Sequence, residues 1–445
     1  MKPTLVLDNA QIFWGSCLDV LPTLSDNSVD SVVCDPPYEL GFMGKSWDAS
    51  GIAYNVKVWE ECLRVLKPGG HLLAFGGSRT WHRLAVAIED AGFEMRDSIA
   101  WIYGSGFPKS HNVANAIDKK MGAGNRGHAI SSGSKVHPTT GEARPNGELL
   151  PKYEARTDAG RGWEGWGTAL KPAFEPIVVA RKPLIGTVAE NVLQFGVGGL
   201  NIDASRIAGE VPSVPQRNKH GYNAFGDGVG RSGEMSQPSM LGRWPANVIL
   251  DETTAELLDE QSGFSKSSGT INRWTDGAKP FGGGAGHKYE SVKGVADSGG
   301  ASRFFYVAKA NKKDRNEGLD DLVGQSPAGK GNGLGRLCAV CGASILNPCE
   351  CPDRTFVNPP KQNFHPTVKP TELMRYLVRL VTPPNGVVLD PFTGSGSTGK
   401  AALLEGFQFV GVELTEEYLP IIAGRLQFVA DKVAQEKEDD LFADL

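Results

Sequence analysis

Asp35-Pro36-Pro37-Tyr38 brings together residue types that an ordinary turn does not require in company. The apolar run before it, Ser28 to Asp35, reads as a buried strand, so the tetrapeptide stands where that strand ends. In an open α/β sheet, ligands bind beyond the carboxyl ends of strands. Two prolines hold φ near about −65° and donate no hydrogen bond. What remains is a rigid corner that offers acceptors only, the Asp35 carboxylate and the Pro36 carbonyl, with Pro37 bracing it and the flat ring of Tyr38 alongside. That set suits an exocyclic amine held by two acceptors and stacked on an aromatic. The bland alternative is a proline turn after a strand. A second such pair, Asn358-Pro359-Pro360, precedes Lys361, lacks a strand before it and reads as loop.

A second stretch, Leu389 to Lys400, carries glycines at Gly394, Gly396 and Gly399 between a short apolar run and a helix-like run. Three cofactors compete for it. A phosphate-binding P-loop needs Ser or Thr after its lysine, and Ala401 stands there. A dinucleotide turn fits better, because strand, glycines and helix are in order. Glu413 lies at about the distance (some 20 residues) of a ribose-binding acid. Yet such an acid serves any adenosine-containing cofactor. Asp390 also precedes the loop, and an acid is unfavourable beside phosphates and favourable beside a cation. S-adenosylmethionine carries a sulfonium and an ammonium and no phosphate, which shifts the balance toward it. The loop alone leaves the choice open, including a tight turn with no ligand. Lys400 then reads as an ordinary first-turn helix residue.

The elements that must position these residues alternate. Strand-like Ser28–Asp35, an amphipathic helix over Val58–Gly70 ended by Pro68 and Gly69, strand "HLLAFGG", helix Arg79–Phe93 and strand "EMRDSIAWIYG" follow one another. The rhythm returns after about residue 365 with helix "TELMRYLVRLV", strand "GVVLD", the glycine loop, helix "GKAALLEG", strand "FQFVGVEL" and a last helix. Such alternation predicts a parallel α/β sheet. Neither half has enough strands for a doubly wound sheet of usual size. The economical reading is one Rossmann-like sheet built from both chain ends around a large irregular insertion. This divides the chain into a catalytic half (1–183), a target-recognition insertion (184–360), a cofactor half (361–430) and an acidic tail (431–445).

The net charge of −5 is uneven: Asp431 to Leu445 contributes −4, a solvated helix end or loose terminus, and the rest is near neutral. Near-neutrality does not exclude a local basic groove. Lys309, Lys312, Lys313 and Arg315 are candidates for phosphate contact or a solvated face, and Phe304-Phe305-Tyr306 reads as core strand rather than a base-stacking platform. Four of the seven cysteines, Cys338, Cys341, Cys349 and Cys351, crowd into one short stretch. Without a secretory leader such a cluster points to metal, and four sulfurs make a closed structural zinc site, although the Cys349-x-Cys351 spacing is tight. No run of about 18 apolar residues suggests a membrane span, so a cytoplasmic location, bacterial or in a phage-infected host, is expected.

Taken together, these motifs resemble an amino-group DNA methyltransferase of the class whose catalytic motif precedes its cofactor motif. "DPPY" is similar to the catalytic motif, "DPFTGSGSTG" to the cofactor motif, "VGVEL" to the segment with the ribose-contacting acid, and "HPTVKP" (His365 to Pro370) to the segment before the cofactor loop. "LKPAFEPIVVARKP" and "SRFFYVAKA" resemble segments of phage and prophage members. The resemblance covers roughly residues 10–105 and 365–430. It implies methyl transfer from S-adenosylmethionine to an exocyclic nitrogen of a flipped base in double-stranded DNA. Asp35, Pro36, Pro37 and Tyr38 would be catalytic; Asp390, Phe392, Gly394, Gly396, Glu413, Thr367 and Lys369 would bind the cofactor. Asp at the first position favours adenine N6, with cytosine N4 as the alternative. An RNA or protein-amide methyltransferase and a non-catalytic DNA-binding relic are further rivals. The family often has Gly-Asp where this chain has Gly15-Ser16, so the contact to the cofactor adenine is left unassigned, and monomer and homodimer both stay open.

Overall fold

The computed structural model describes residues 2–41, 46–106, 110–123, 153–209, 242–266, 297–309, 314–320 and 362–443, with short stretches between 215 and 357. The chain divides into two compact units, Met1–Ile102 with Glu175–Leu445, and Tyr103–Phe174. The smaller unit is organised by Asp118, on a helix over Val113–Lys120. Its carboxylate accepts from the Tyr153 hydroxyl and the Arg156 amide, both at 2.7 Å.

The larger unit is built on ten strands: β1 Leu5–Leu7, β2 Ala10–Trp14, β3 Val29–Cys34, β4 Leu66–Phe75, β5 Glu94–Ile102, β6 Phe174–Arg181, β7 Val248–Asp251, β8 Tyr306–Ala308, β9 Val387–Asp390 and β10 Gln408–Glu413. Their order in the sheet is β1-β2-β10-β9-β3-β4-β6-β5-β7-β8. The two C-terminal strands therefore stand between strands from the N-terminal end, as the sequence predicted. β2, β10, β9, β3 and β4 run parallel, and β6 is antiparallel to β4. All six residues of β3 are buried, as expected of a parallel strand covered on both faces.

The covering layers can be read from the pleat. Successive residues of β4 face opposite sides. Leu73 and Phe75 join a core with α3 (Thr371–Val381), α4 (Ser397–Leu404) and α5 (Leu419–Ala443). Leu72 and Ala74 join another with α1 (Val56–Val65) and α2 (Trp81–Asp90). The result is a mixed sheet with helices on both faces.

Two sequence expectations need correction. The first helix ends at Val65, not Gly70, because Leu66 to Gly70 already belong to β4. Pro68 is tolerated there because the β3–β4 register shifts at that point, and prolines inside sheets sit at such irregularities. The middle of the chain is not wholly irregular, since β7 and β8 extend the main sheet beyond β5 through parallel pairing. Of the two readings of the acidic tail, the helix end is the one seen as far as it is described: α5 continues into it to Ala443.

Candidate active site

Three acids stand at the carboxyl edge of three adjacent strands. Asp35 follows the last residue of β3, Asp390 ends β9, and Glu413 ends β10. The pairings Leu389 with Val32 and Asp390 with Gly411 set their relative heights.

Asp35 is the first residue after β3 and is followed by Pro36 and Pro37. One carboxylate oxygen, Oδ2, accepts from Lys369 Nζ at 2.6 Å. The other, Oδ1, is buried and has no hydrogen-bond partner among the described residues. An unsatisfied buried acceptor costs about 1–3 kcal/mol, and a donor reaching it would recover that cost. Tyr38 lies beside it, its carbonyl accepting from Thr80 Oγ1 at 2.9 Å and its hydroxyl donating to Glu175 Oε2 at 2.8 Å. Burial, then the charges of Asp35 and Glu175, hold the Tyr38 phenol well above its ordinary pKa, so it is neutral.

The resemblance implies a cofactor role for Lys369; the structure puts its ammonium against Asp35 and Tyr38. Besides Asp35 it reaches the Tyr38 hydroxyl at 3.1 Å and Glu175 at 3.4 Å, and its ammonium lies over the Phe75 ring at 4.7 Å. Burial works to lower its pKa, but Asp35 and Glu175 overcome this and hold the ammonium above its ordinary value. Thr367 is exposed, and its carbonyl accepts from His365 Nδ1 at 2.6 Å. Burial brings His365 down to about 4, so its imidazole is neutral.

The glycine loop forms as predicted. Gly394 (φ +57°) and Gly396 (φ +77°) both occupy the left-handed region that glycine adopts without a Cβ penalty. A Cβ on Gly394 would also lie 3.0 Å from His365 Nε2. Glu413 grips the loop: Oε2 accepts from the Gly394 amide and Oε1 from the Thr415 amide, each at 2.7 Å. Asp390 is buried, accepts from the Phe392 amide at 2.9 Å, and is pushed up to about 7, chiefly by burial and further by the charges of Asp35 and Glu413. Phe392 packs against Trp59 with ring centroids 6.0 Å apart.

Lys400 is not the ordinary helix residue the sequence suggested. Every residue of α4 from Ser397 to Leu403 is buried, so this helix has no solvent face for a lysine. Lys400 is 2% exposed and donates to Asp314 and Glu317, each at 2.6 Å. Asp314 also accepts from the Thr371 amide, serving as a cap for α3 where Pro370 supplies none. Arg425, fully buried, donates to the Ser395 carbonyl at 2.7 Å and so ties the back of the loop to α5. Sequence reasoning missed Glu175, Asp314 and Arg425. The available signal for Glu175 was an acid immediately before Pro176 at the head of an apolar strand.

Other candidates fall elsewhere. Arg315 donates to the carbonyls of Asn363 and His365, so it is committed within the fold rather than offered to phosphates. Lys309 is exposed, and Lys312 and Lys313 lie outside the described residues. Of the aromatic run, only Tyr306 is in a strand, stacked on Tyr376 at 4.0 Å, while Phe304 is exposed against Arg303. Cys338 is buried in a short strand and Cys351 is half-buried; Cys341 and Cys349 lie outside the described residues. Among the described residues no three His, Cys, Asp or Glu side chains gather as a metal site, and no helix is long and apolar enough to cross a membrane.

A family described as DNA methylase (N6_N4_Mtase) matches residues 29–185 and 300–424, which include β3, β4, β6, β9 and β10 and all three acids. Among curated proteins, DNA adenine methyltransferase YhdJ of Escherichia coli is 38% identical over 72 residues, 16% of this chain and 24% of that one. Type II methyltransferase M.ScaI of Streptomyces caespitosus is 39% identical over 73 residues, again 16% and 24%. Type II methyltransferase M.HindIII of Haemophilus influenzae is 30% identical over 152 residues, 33% of this chain and 38% of that one. The matched stretch thus spans about a quarter of the first two relatives' length. Among solved structures the chain is similar to PvuII DNA methyltransferase (cytosine-N4-specific), at 12% identity and a TM-score of 0.39, covering 97% and 95% of the two chains.

Proposed function

The chain belongs to the N6/N4 DNA methylase family, and from that premise we propose that it methylates the exocyclic N6 of adenine in double-stranded DNA, using S-adenosylmethionine. The observation that carries this reading is Asp35 Oδ1, a buried acceptor without a partner among the described residues, beside an aromatic ring. The acids support the choice of cofactor. Asp35, Asp390 and Glu413 make the strand ends acidic, and Lys400, the cation a phosphate would need, is spent on Asp314 and Glu317. Such a site suits sulfonium and ammonium charges and disfavours phosphates. Asp390, Phe392, Gly394, Gly396 and Glu413 would hold the cofactor; when bound, it supplies an electrophilic methyl group.

The protein's own residues prepare the nucleophile. An exocyclic amine is a poor one because its lone pair is delocalised into the ring. Asp35 Oδ1 and the Pro36 carbonyl accept its two N–H bonds, which favours a more tetrahedral nitrogen and frees the lone pair. Holding the reacting groups in place can supply about 7–11 kcal/mol of the barrier. After transfer the nitrogen sheds a proton, and Asp35 Oδ1 is the acceptor in reach. A base inside the duplex cannot meet this corner, so it must flip at a cost of a few kcal/mol. Stacking on Tyr38, worth about 1–3 kcal/mol, offsets part of that cost.

Adenine is favoured over cytosine by Asp at the first motif position, and the adenine methyltransferase YhdJ is among the similar proteins. Residues 184–360 would read the target sequence, and the four cysteines would bind structural zinc; elemental analysis of chelator-free protein tests the latter. The work is expected in the cytoplasm, where bacterial DNA is found. The reading is tested by expressing the protein in a host without adenine methylation and sequencing the DNA with modified-base detection. Methyladenine at a discrete site is expected. Methylcytosine would move the reading to its alternative, and unmodified DNA would overturn it.

A further inference from the structure

We propose that Glu175 is a positioning residue for this reaction: by holding the Tyr38 hydroxyl and sharing the charge of Lys369, it keeps Asp35 Oδ1 open for the substrate amine. The proposal rests on the methyl-transfer reading above and adds a residue to it.

Topology explains how Glu175 reaches the site. β6 is antiparallel to β4, with Ile177 opposite Phe75. Its first residues therefore lie at the edge where the parallel strands end, which is where Asp35 stands. Pro176 restricts Glu175 to extended backbone, and the Pro176 carbonyl accepts from the Gly76 amide at 2.9 Å. The head of the strand is thus pinned to the loop after β4.

Two features then act on Asp35. The Tyr38 hydroxyl has one proton, and it goes to Glu175 Oε2 at 2.8 Å, leaving the phenol oxygen to accept from Lys369 at 3.1 Å. Without Glu175 that proton would seek another acceptor, and the Asp35 carboxylate shares Lys369 with it. The second feature is charge. One ammonium serves two carboxylates, Asp35 at 2.6 Å and Glu175 at 3.4 Å. The group as a whole keeps a negative charge, so Asp35 remains a strong acceptor although it is ion-paired. Removing Glu175 would leave a neutral Asp35–Lys369 pair and a weaker acceptor. Tyr38, Lys369 and Glu175 together orient Asp35, and only Asp35 meets the amine.

The test compares wild type with Glu175→Gln and Glu175→Ala in steady-state methylation of a DNA duplex that carries the target site. Gln keeps an acceptor for the Tyr38 hydroxyl and loses the charge; Ala loses both. Loss of an interaction with a buried charged group predicts that kcat falls roughly ten- to hundredfold in Ala, and less in Gln. The cofactor KM and the thermal midpoint should stay near wild type in Gln. A second readout needs no turnover: the Tyr38 phenol is followed by NMR of 13C-labelled tyrosine, assigned with Tyr38→Phe. Its pKa should fall toward the ordinary tyrosine value in Glu175→Gln, because one of the negative charges that raise it is gone. Wild-type kcat in both variants, or an unmoved Tyr38 pKa, would overturn the proposal. So would a loss of cofactor binding as large as the loss of kcat, which marks a merely structural role. If wild type itself transfers no methyl group, the enzymatic reading fails and the Tyr38 titration still decides whether Glu175 controls this corner.

Discussion

Replacing Lys400 with methionine removes one ammonium and keeps an unbranched stem of similar length, so it isolates the charge. Removing one partner of a buried ion pair costs about 3–5 kcal/mol, because the other is left uncompensated. Here two acids depend on the lysine, and they differ. Glu317 is 40% exposed and recovers solvation from water, so it contributes little. Asp314 is 13% exposed and cannot, but it retains the Thr371 amide at 2.8 Å, the Thr371 hydroxyl at 2.5 Å and Arg425 at 3.5 Å. Those partners bring the expected loss to about 2–3 kcal/mol, below the full penalty. Urea denaturation of wild type and Lys400→Met measures it, as a lower midpoint at unchanged slope. The loss should shrink in acid, where protonation of Asp314 relieves the charge left without its lysine. Burial acts to raise the Asp314 pKa, and Lys400 and Thr371 outweigh it and hold the group below its ordinary value. Its stabilisation is therefore present above the unfolded pKa and fades as pH falls through the folded one. In Lys400→Met the Asp314 contribution should fade at a higher pH. A loss under about 1 kcal/mol would refute the account, and Lys400 would then be a solvated side chain drawn inward.

Further outcomes follow from the same geometry. Gly394→Ala should cost about 1–2 kcal/mol for the left-handed backbone and more for the His365 ring 3.0 Å from the new Cβ, with weaker cofactor binding by calorimetry. Gly406→Ala, at φ +76° with nothing within 4 Å of its Cβ, supplies the control that feels only the backbone. Asp390, pushed up to about 7, favours its neutral form when folded. Its contribution to stability is fully present below an unfolded pKa of about 3.9 and is lost as pH rises through about 7. Asp390→Asn should therefore melt higher than wild type at pH 8 and level with it near pH 4. A cationic ligand favours the ionised form, so cofactor affinity in wild type should rise between pH 6 and 8 and stay flat in Asp390→Asn.

The parts of the site that were legible in the sequence are those whose function needs an unusual local run. Asp35 to Tyr38 advertises itself because two prolines end a buried strand, and Gly394 to Gly399 because positive φ calls for glycine. The shared sheet was legible because neither half had enough strands alone. What escaped depends on partners far along the chain. Lys400 looked ordinary because its partners, Asp314 and Glu317, sit 86 and 83 residues away, and Lys369 looked like a cofactor residue because Asp35 is 334 residues upstream. Glu175 lies in a segment that resembles family members, but its place beside Tyr38 and Lys369 exists only because β6 runs against β4. A strand as short as β7, four residues, leaves too little pattern to distinguish from loop.

The proposed reaction rests on Asp35 as the acceptor that prepares an exocyclic amine for methyl transfer. Asp35→Ala tests it most directly, with S-adenosylmethionine binding by calorimetry and single-turnover methylation of the target duplex measured on the same preparation. The account predicts that methylation is abolished while cofactor affinity largely survives. Retained turnover in Asp35→Ala would contradict it.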